Sequence, residues 1–543
     1  MAAKRISAAV RGLAATGMMV TGMVQAQTPV PGPQNLPPPN TVPMSATAPQ
    51  VTAATDLPVM VITPAFRFMP SIELNERYSD NAALLSSSLA RSDWVTDLIA
   101  GLRIEYRAAR ASAQVDYRID RPFHREFTNL DNTQRFLNSH ATLEAVEKWL
   151  FVDASATITQ QNRSAFGVTN ISDINNVSAN RIETTTYQLS PYIRGDLGTV
   201  ATYQLRLNEA DTRTGETTFP DTKTRQWSGF AKNQPSSGWL GWAVDGSSLA
   251  VDNPTVGRRD DSRARASLTF EVDSQLHLSL SGGRESSDLD GLQRRNTNTY
   301  GYGIEWSPSQ RTQFAAVTQK RFFGNDHLVL LNHRTALTAW RFSSSKEVAI
   351  STNELAGSNA LSVNNLLLDL LASSVPDPAM RAAASRQRFD QTGIPASSGI
   401  QDGFLSVRPF LSERQEGSLA LVGQRNTITF DVSYRKQRAL DGNTVTPNGA
   451  APVEEIKQLN ANAVWAYRLS PLSTLKLVAS RLYTEGLFLP SLNSTQRLQS
   501  LFFVTQLGPH TYASLGVQRI SFDSTVLPSY RENAFVSSLS LRF

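Results

Sequence analysis

The side chains able to do chemistry are few, and their spacing does not suit catalysis. Six histidines (His124, His140, His277, His327, His333 and His510) are scattered, and no two stand i, i+4 with a carboxylate as zinc ligands on a helix do. There is no cysteine, which removes thiol nucleophiles, disulfides and a lipoprotein anchor. His140 follows Ser139, the one Ser/His pair that could suggest a membrane lipase, but a polar residue facing a lumen is the plainer reading. Asp288 and Asp290 could hold a cation, though a solvated turn accounts for them as well. No nucleophile elbow, phosphate loop or calcium loop is present, so neither a cofactor nor a bound metal is expected, and an enzyme is the least favoured class.

More informative are charges placed at every second residue. Asp116, Arg118 and Asp120 alternate with Val115, Tyr117 and Ile119; Thr429, Asp431, Ser433 and Arg435 alternate with Ile428, Phe430, Val432 and Tyr434. Period two is the signature of a strand with one wet and one apolar face. If the apolar face meets lipid, a charge on it costs ~2–4 kcal/mol at mid-membrane. Asp116, Arg118, Asp431 and Arg435 are therefore expected to face a lumen.

The elements that would position them are strands joined by connections of two kinds. Short turns are expected at 107–110, 147–149, 195–198, 234–238, 272–275, 307–310, 333–335, 423–426, 470–473 and 508–510. Three Ser-Pro pairs, Ser190-Pro191, Ser307-Pro308 and Ser470-Pro471, are read as turn residues, because proline presets φ and loses no ladder donor there. The other connections, such as 162–180 and 441–453, are mostly longer, with a tight exception at 323–325. Short turns on one side and long loops on the other is the transmembrane barrel rule, and one strand on each side of every turn gives about 22 antiparallel strands. The fold class is thus all-β, a transmembrane antiparallel β-barrel over residues 65–543. Its exception is a partly helical outer insertion at about 352–402, where Leu366, Leu367, Leu368, Leu370 and Leu371 precede Pro376 and Pro378. That insertion is expected to occlude the lumen, because a barrel of this size leaves an opening that is usually filled.

The termini agree. Lys4, Arg5 and Arg11 flank an apolar stretch from Gly12 to Val24, too short for the ~20 residues of a spanning helix. With Val24-Gln25-Ala26 before Gln27 this reads as a signal peptide, residues 1–26, cleaved between Ala26 and Gln27. Residues 27–64 carry ten prolines and almost no charge, which suits a flexible periplasmic leader. The final strand alternates Phe535, Ser537, Leu539, Leu541 and Phe543 with Val536, Ser538, Ser540 and Arg542. It ends on Phe543, the terminal aromatic that outer-membrane barrels offer to the barrel assembly machinery. Composition fits an outer-membrane location: 543 residues, 40% hydrophobic, with mean hydropathy −0.27. A formal charge of +5 falls to about +2 without the three signal-peptide bases, too little to recruit nucleic acid.

Several linked motifs resemble one family. Leu74-Asn75-Glu76-Arg77-Tyr78-Ser79-Asp80-Asn81, then Ser92-Asp93-Trp94-Val95-Thr96, is similar to the E-x-Y-T/S-D-N and S-D-F/W-V-T opening of outer-membrane proteins associated with the PEP-CTERM/exosortase system. Glu147-Lys148-Trp149-Leu150-Phe151-Val152-Asp153-Ala154 resembles its E-x-W-L-F-V-D-A run. Arg321-Phe322-Phe323-Gly324-Asn325, His333-Arg334-Thr335 with Ala339-Trp340, and Gly423-Gln424-Arg425-Asn426-Thr427 are similar to its remaining signatures. Arg77 and Ser79 depart from the commoner smaller residue and Thr. The resemblance spans about residues 66–543 and supplies no active site. It implies an outer-membrane barrel whose genes accompany exopolysaccharide production and protein sorting, with exopolysaccharide and periplasmic export components as partners beside membrane lipid. Two classes remain open: a conduit or accessory in exopolysaccharide export, and a structural or adhesive barrel or general porin.

Overall fold

The computed structural model describes residues 65–168, 180–216, 219–233, 238–291, 293–349, 404–406, 409–440, 455–487, 492–525 and 527–543. The signal peptide with Ala26 and Gln27, the leader and the 352–402 insertion lie outside them.

Twenty-two strands follow one another around a single sheet. They are β1 (Ala65–Ser79), β2 (Asp93–Arg107), β3 (Ala111–His124), β4 (Gln134–Val146), β5 (Leu150–Asn162), β6 (Arg181–Leu197), β7 (Ala201–Arg213) and β8 (Thr222–Asn233). Next come β9 (Leu240–Asn253), β10 (Gly257–Glu271), β11 (Leu276–Ser287), β12 (Arg295–Ser309), β13 (Thr312–Arg321), β14 (Gly324–Arg334) and β15 (Thr338–Ala349). The last are β16 (Phe410–Val422), β17 (Asn426–Ala439), β18 (Glu455–Arg468), β19 (Ser473–Leu487), β20 (Leu492–Gly508), β21 (Thr511–Ser524) and β22 (Tyr530–Arg542). Each strand pairs antiparallel with its neighbours in sequence, and β22 pairs back onto β1 from Ser71↔Arg542 to Ser79↔Ala534, so the wall is closed and has no edge. The seam reaches the terminus: the Phe543 N–H donates to the Pro70 carbonyl at 2.9 Å.

All ten short connections fall at the end that carries both termini, which the barrel rule makes periplasmic. Several match the expected spans, as at 108–110 and 272–275, and others shift by two or three residues, as at 198–200 and 310–311. The outer ends are less uniform than expected, since 254–256 and 322–323 fall in the length range of the periplasmic turns. Two proline readings are corrected: Ser307-Pro308 lies within β12 just before its turn, where the ladder to β13 breaks between Trp306 and Ser309. Ser190-Pro191 lies inside β6, where Pro191 faces Val152 of β5 and the ladder to β7 stops at Leu189 and resumes at Tyr192. Lacking an N–H, Pro191 costs the sheet one donor, and the residue pair is bridged instead by Ser190 Oγ donating to Asn208 Oδ1 at 2.6 Å.

The outward face carries an apolar band. One row of directly paired residues runs Ile428, Trp465, Leu477, Leu501, Val517, Phe535, Tyr78 and Trp94, crossing eight strands and the seam, and every member is an exposed large hydrophobic residue. The row starts next to the periplasmic turn of β17 and finishes at the outer end of β2, so the strands are tilted, as closure requires. Six of the eight tryptophans, Trp149, Trp239, Trp242, Trp306, Trp340 and Trp465, cluster toward the periplasmic edge, while Trp94 packs on Tyr78 at the outer edge with ring centroids 5.2 Å apart. Tyr300 and Tyr302 are exposed in the middle of β12 rather than at a strand end. An unbroken apolar band with aromatics at its rims is stable only in lipid, so this is an outer-membrane-type barrel.

Candidate functional site in the barrel lumen

The inward face is the inverse of the outer one, and its outer half carries two networks of buried charge. In the first, Arg321 closes β13 and is the hub. Its Nε donates to Glu285 Oε1 at 2.9 Å, and its guanidinium lies 3.5 Å from Asp326 and 3.9 Å from Asp261. Glu285 is fully buried and its other oxygen accepts the Phe322 N–H at 3.1 Å. Strand register places these residues: Arg263 faces Glu285 across β10 and β11, and Arg265 faces Asp245 across β10 and β9, with 2.9 Å between their charged atoms. The turn after Arg321 has only Phe322 and Phe323 between the strands, and Gly324 takes φ +112°, a left-handed conformation that side chains resist. The Arg321-to-Asn325 motif therefore builds both the tightest outer turn and the hub of the network.

The second network lies at the seam. Arg77 Nη1 is 3.1 Å from Glu532 Oε1, and Ser79 Oγ donates to the same oxygen at 2.6 Å, with both ends of the ion pair 1% exposed. Asn75, Asp97 and Asp120 line the same face beside them. Arg77 is thus the cation that satisfies Glu532 across the closure.

Above these networks the outer mouth is roofed. The segment after β5 passes into the barrel, where Ala165 and Phe166 pack on Leu492 and Ile456, while Val168 and Leu84 pack on a buried group of Leu498, Ile520, Phe522 and Tyr530. Phe219 and Leu405 join Ile182 on the other side, and the Leu405 N–H donates to the Asn162 carbonyl at 2.9 Å. Asn180 pins the segment, accepting from the Ser164 N–H at 2.9 Å and donating to the Ser164 carbonyl at 3.0 Å. A loop leaving β5 and touching β18 and β20 must cross the mouth. Toward the periplasm the inward side chains open up: Arg103 and Asp116, 3.6 Å apart, are 33% and 35% exposed. Among the described residues the lumen is covered at its outer mouth and its inward side chains are more exposed toward the periplasm.

The four lumen residues chosen from the sequence sit on separate arcs of the wall. Asp116 and Arg118 share the face of the buried Asp120 and His124, opposite Ile119 and Phe123; Arg118 lies over the Phe136 ring at 4.3 Å. Asp431 and Arg435 share the face of the buried Thr429 and Gln437, and Asp431 stands between Ser418 and Asn462 in the ladder. Neighbours in the chain, Ser139 and His140 project from opposite faces of β4: Ser139 donates to the Ala156 carbonyl on the lipid side, whereas His140 meets Thr142 inside. Asp290 is 3.0 Å from Arg295, and the Asp288 carboxylate accepts the Asp260 N–H. Among the described residues no three acidic or histidine side chains are grouped to hold a metal.

Beyond the strand ends one titrating contact stands out. Burial alone would raise the Asp131 carboxyl, but the backbone N–H and ring Nδ1 of His124, each at 2.8 Å, outweigh it and hold Asp131 below its ordinary value.

No family model and no curated protein matches this chain. Among solved structures it is similar to the siderophore receptor PirA from Pseudomonas aeruginosa, at 9% identity and a TM-score of 0.44, covering 89% of this chain and 81% of that one. The FrpB iron transporter from Neisseria meningitidis gives 10% identity and 0.39 over 87% and 82%. OpdQ from Pseudomonas aeruginosa gives 11% and 0.32 over 88% and 99%. These likenesses assign no role to this chain, and its function is argued from its own wall.

Proposed function

We propose that this barrel is a conduit, or an accessory to one, through which an exopolysaccharide leaves the cell, set in a Gram-negative outer membrane after removal of the signal peptide at Ala26 and assembly through its Phe543 strand. The observation that carries the reading is the combination, among the described residues, of a polar, charge-paired lumen more exposed toward the periplasm with a loop roof at the outer mouth. A hydroxyl-rich chain entering from below finds carboxylates, guanidiniums and a ring-stacked Arg118 to exchange for water, and the roof keeps the pore from leaking small solutes. The motif resemblance to PEP-CTERM/exosortase-associated proteins is what points to exopolysaccharide as the cargo, with periplasmic export components docking on the short turns.

Planar-bilayer recording tests this. Wild-type barrels are expected to sit closed, Phe166→Asp is expected to open them by expelling the roof from its apolar seat, and exopolysaccharide added on the periplasmic side is expected to block the opened pore. Steady wild-type conductance that polymer leaves unchanged would favour a porin.

A further inference from the structure

The outward face of β19–β22 departs from the rest of the apolar wall. Arg481 of β19 directly opposes Arg497 of β20, and the same row continues through Ser521 to Arg531 of β22. One row nearer the periplasm, Gln499 faces Arg519 of β21, which faces Asn533. Four arginines thus occupy two adjacent rows on four consecutive strands, all exposed and all outward. Inward neighbours Leu482, Leu498 and Ile520 are buried, so these side chains have no route to the lumen.

Their depth is fixed by what lies beneath. Leu477, Leu501, Val517 and Phe535 form the top of the apolar band on the same strands, and Phe535 is paired with Tyr78, the outer-rim aromatic. The guanidiniums therefore stand on the outer side of this apolar row.

Some arginines elsewhere on the outward face carry their own acids. Arg135 holds Glu183 and Arg225 holds Glu209, each at 2.6 Å, and Arg258 holds Asp260 at 3.1 Å. On β19–β22 only Arg497 has one, Asp523 at 2.7 Å; among the described residues the guanidiniums of Arg481, Arg519 and Arg531 make no hydrogen bond or ion pair. Like charges directly opposed across strands repel, and among the described residues only Arg497 of this pair has an acid to offset it.

We propose that this patch docks a phosphate-bearing glycolipid of the outer leaflet, its phosphomonoesters seated between the Arg481–Arg497 pair and Arg519–Arg531 and its acyl chains lying along Leu477, Leu501 and Val517. Guanidinium forks match phosphate oxygens two by two, and an anion between Arg481 and Arg497 turns their repulsion into attraction. The patch marks one side of the barrel as the side that orders lipid around it.

The test uses the full mature chain, purified in detergent and examined by native mass spectrometry with a bisphosphorylated diglucosamine lipid or its dephosphorylated form. Wild-type barrel should retain the phosphorylated lipid, and the Arg481→Gln/Arg497→Gln pair should weaken retention by about tenfold or more. Arg284→Gln, which removes a single outward arginine on β11, should change nothing. If the first pair fails to fold, judged by heat-modifiable mobility, Arg519→Gln/Arg531→Gln serves the same purpose. Equal retention of both lipids, wild-type retention by the variants, or full displacement by inorganic phosphate would overturn the proposal, the last by showing a free-anion site.

Discussion

Removing Arg321 strikes the most heavily loaded contact in the lumen. At an effective dielectric of about 20, each of its contacts, 2.9 Å to Glu285, 3.5 Å to Asp326 and 3.9 Å to Asp261, is worth roughly 4–6 kcal/mol gross. Desolvation of the buried ions takes back most of that, several kcal/mol for each. Arg321→Ala leaves the desolvation cost in place without the attraction, so three carboxylates face one another with Glu285 fully buried. The expected loss is about 3–5 kcal/mol. Arg321→Met combined with Glu285→Gln removes the charge pair together, and should recover at least half of it. Urea unfolding in lipid vesicles, followed by tryptophan fluorescence, reads both variants. A loss below about 1 kcal/mol for Arg321→Ala would refute the reasoning, because it would place the network in bulk-like water, where ion pairs are worth no more than that.

Other expectations are more local. Gly324→Ala forces a side chain into φ +112° in a two-residue turn and should cost about 1–3 kcal/mol in the same unfolding assay. Asp131 is held below the ordinary carboxylate value near 4, so its bond to His124 supports the outer loop 125–133 above that pH and is lost as pH falls through the depressed value. Hydrogen exchange should show that loop opening under acid, and Asp131→Asn should show it open already at neutral pH. Phe543→Ala should lower the amount of heat-modifiable barrel in membranes while leaving its purified, folded stability within about 0.5 kcal/mol, since the ring is exposed.

Much of the wall could be read from sequence because a transmembrane strand must repeat every two residues and charge at mid-membrane on a lipid face is costly. Asp116, Arg118, Asp431 and Arg435 were therefore assignable to one face, and turns such as 272–275 could be found from the break in alternation. Ser190-Pro191 misled because proline looks like a turn anywhere, yet a strand can carry one if a side chain bridges the missing rung. The Arg321 network was invisible because its partners lie on β10, β11 and β14, and which residues meet depends on registers that no local pattern encodes. The inward apolar group of Leu498, Ile520, Phe522 and Tyr530 broke the expected polar lumen for the same reason: its partners Val168 and Leu84 come from loops distant in sequence. The Arg321-Phe322-Phe323-Gly324-Asn325 motif did mark the place, though nothing in it revealed its role.

The central claim is that this barrel carries polymer outward through its charged vestibule. Surface and periplasmic exopolysaccharide, measured in cells lacking the gene and in cells complemented with wild type or with Asp116→Asn/Arg118→Gln, tests it most directly. The account predicts polymer trapped in the periplasm and missing from the surface of the deletion strain, full rescue by wild type, and partial rescue by a lumen variant that folds to wild-type levels. Normal surface polymer in the deletion strain would contradict it.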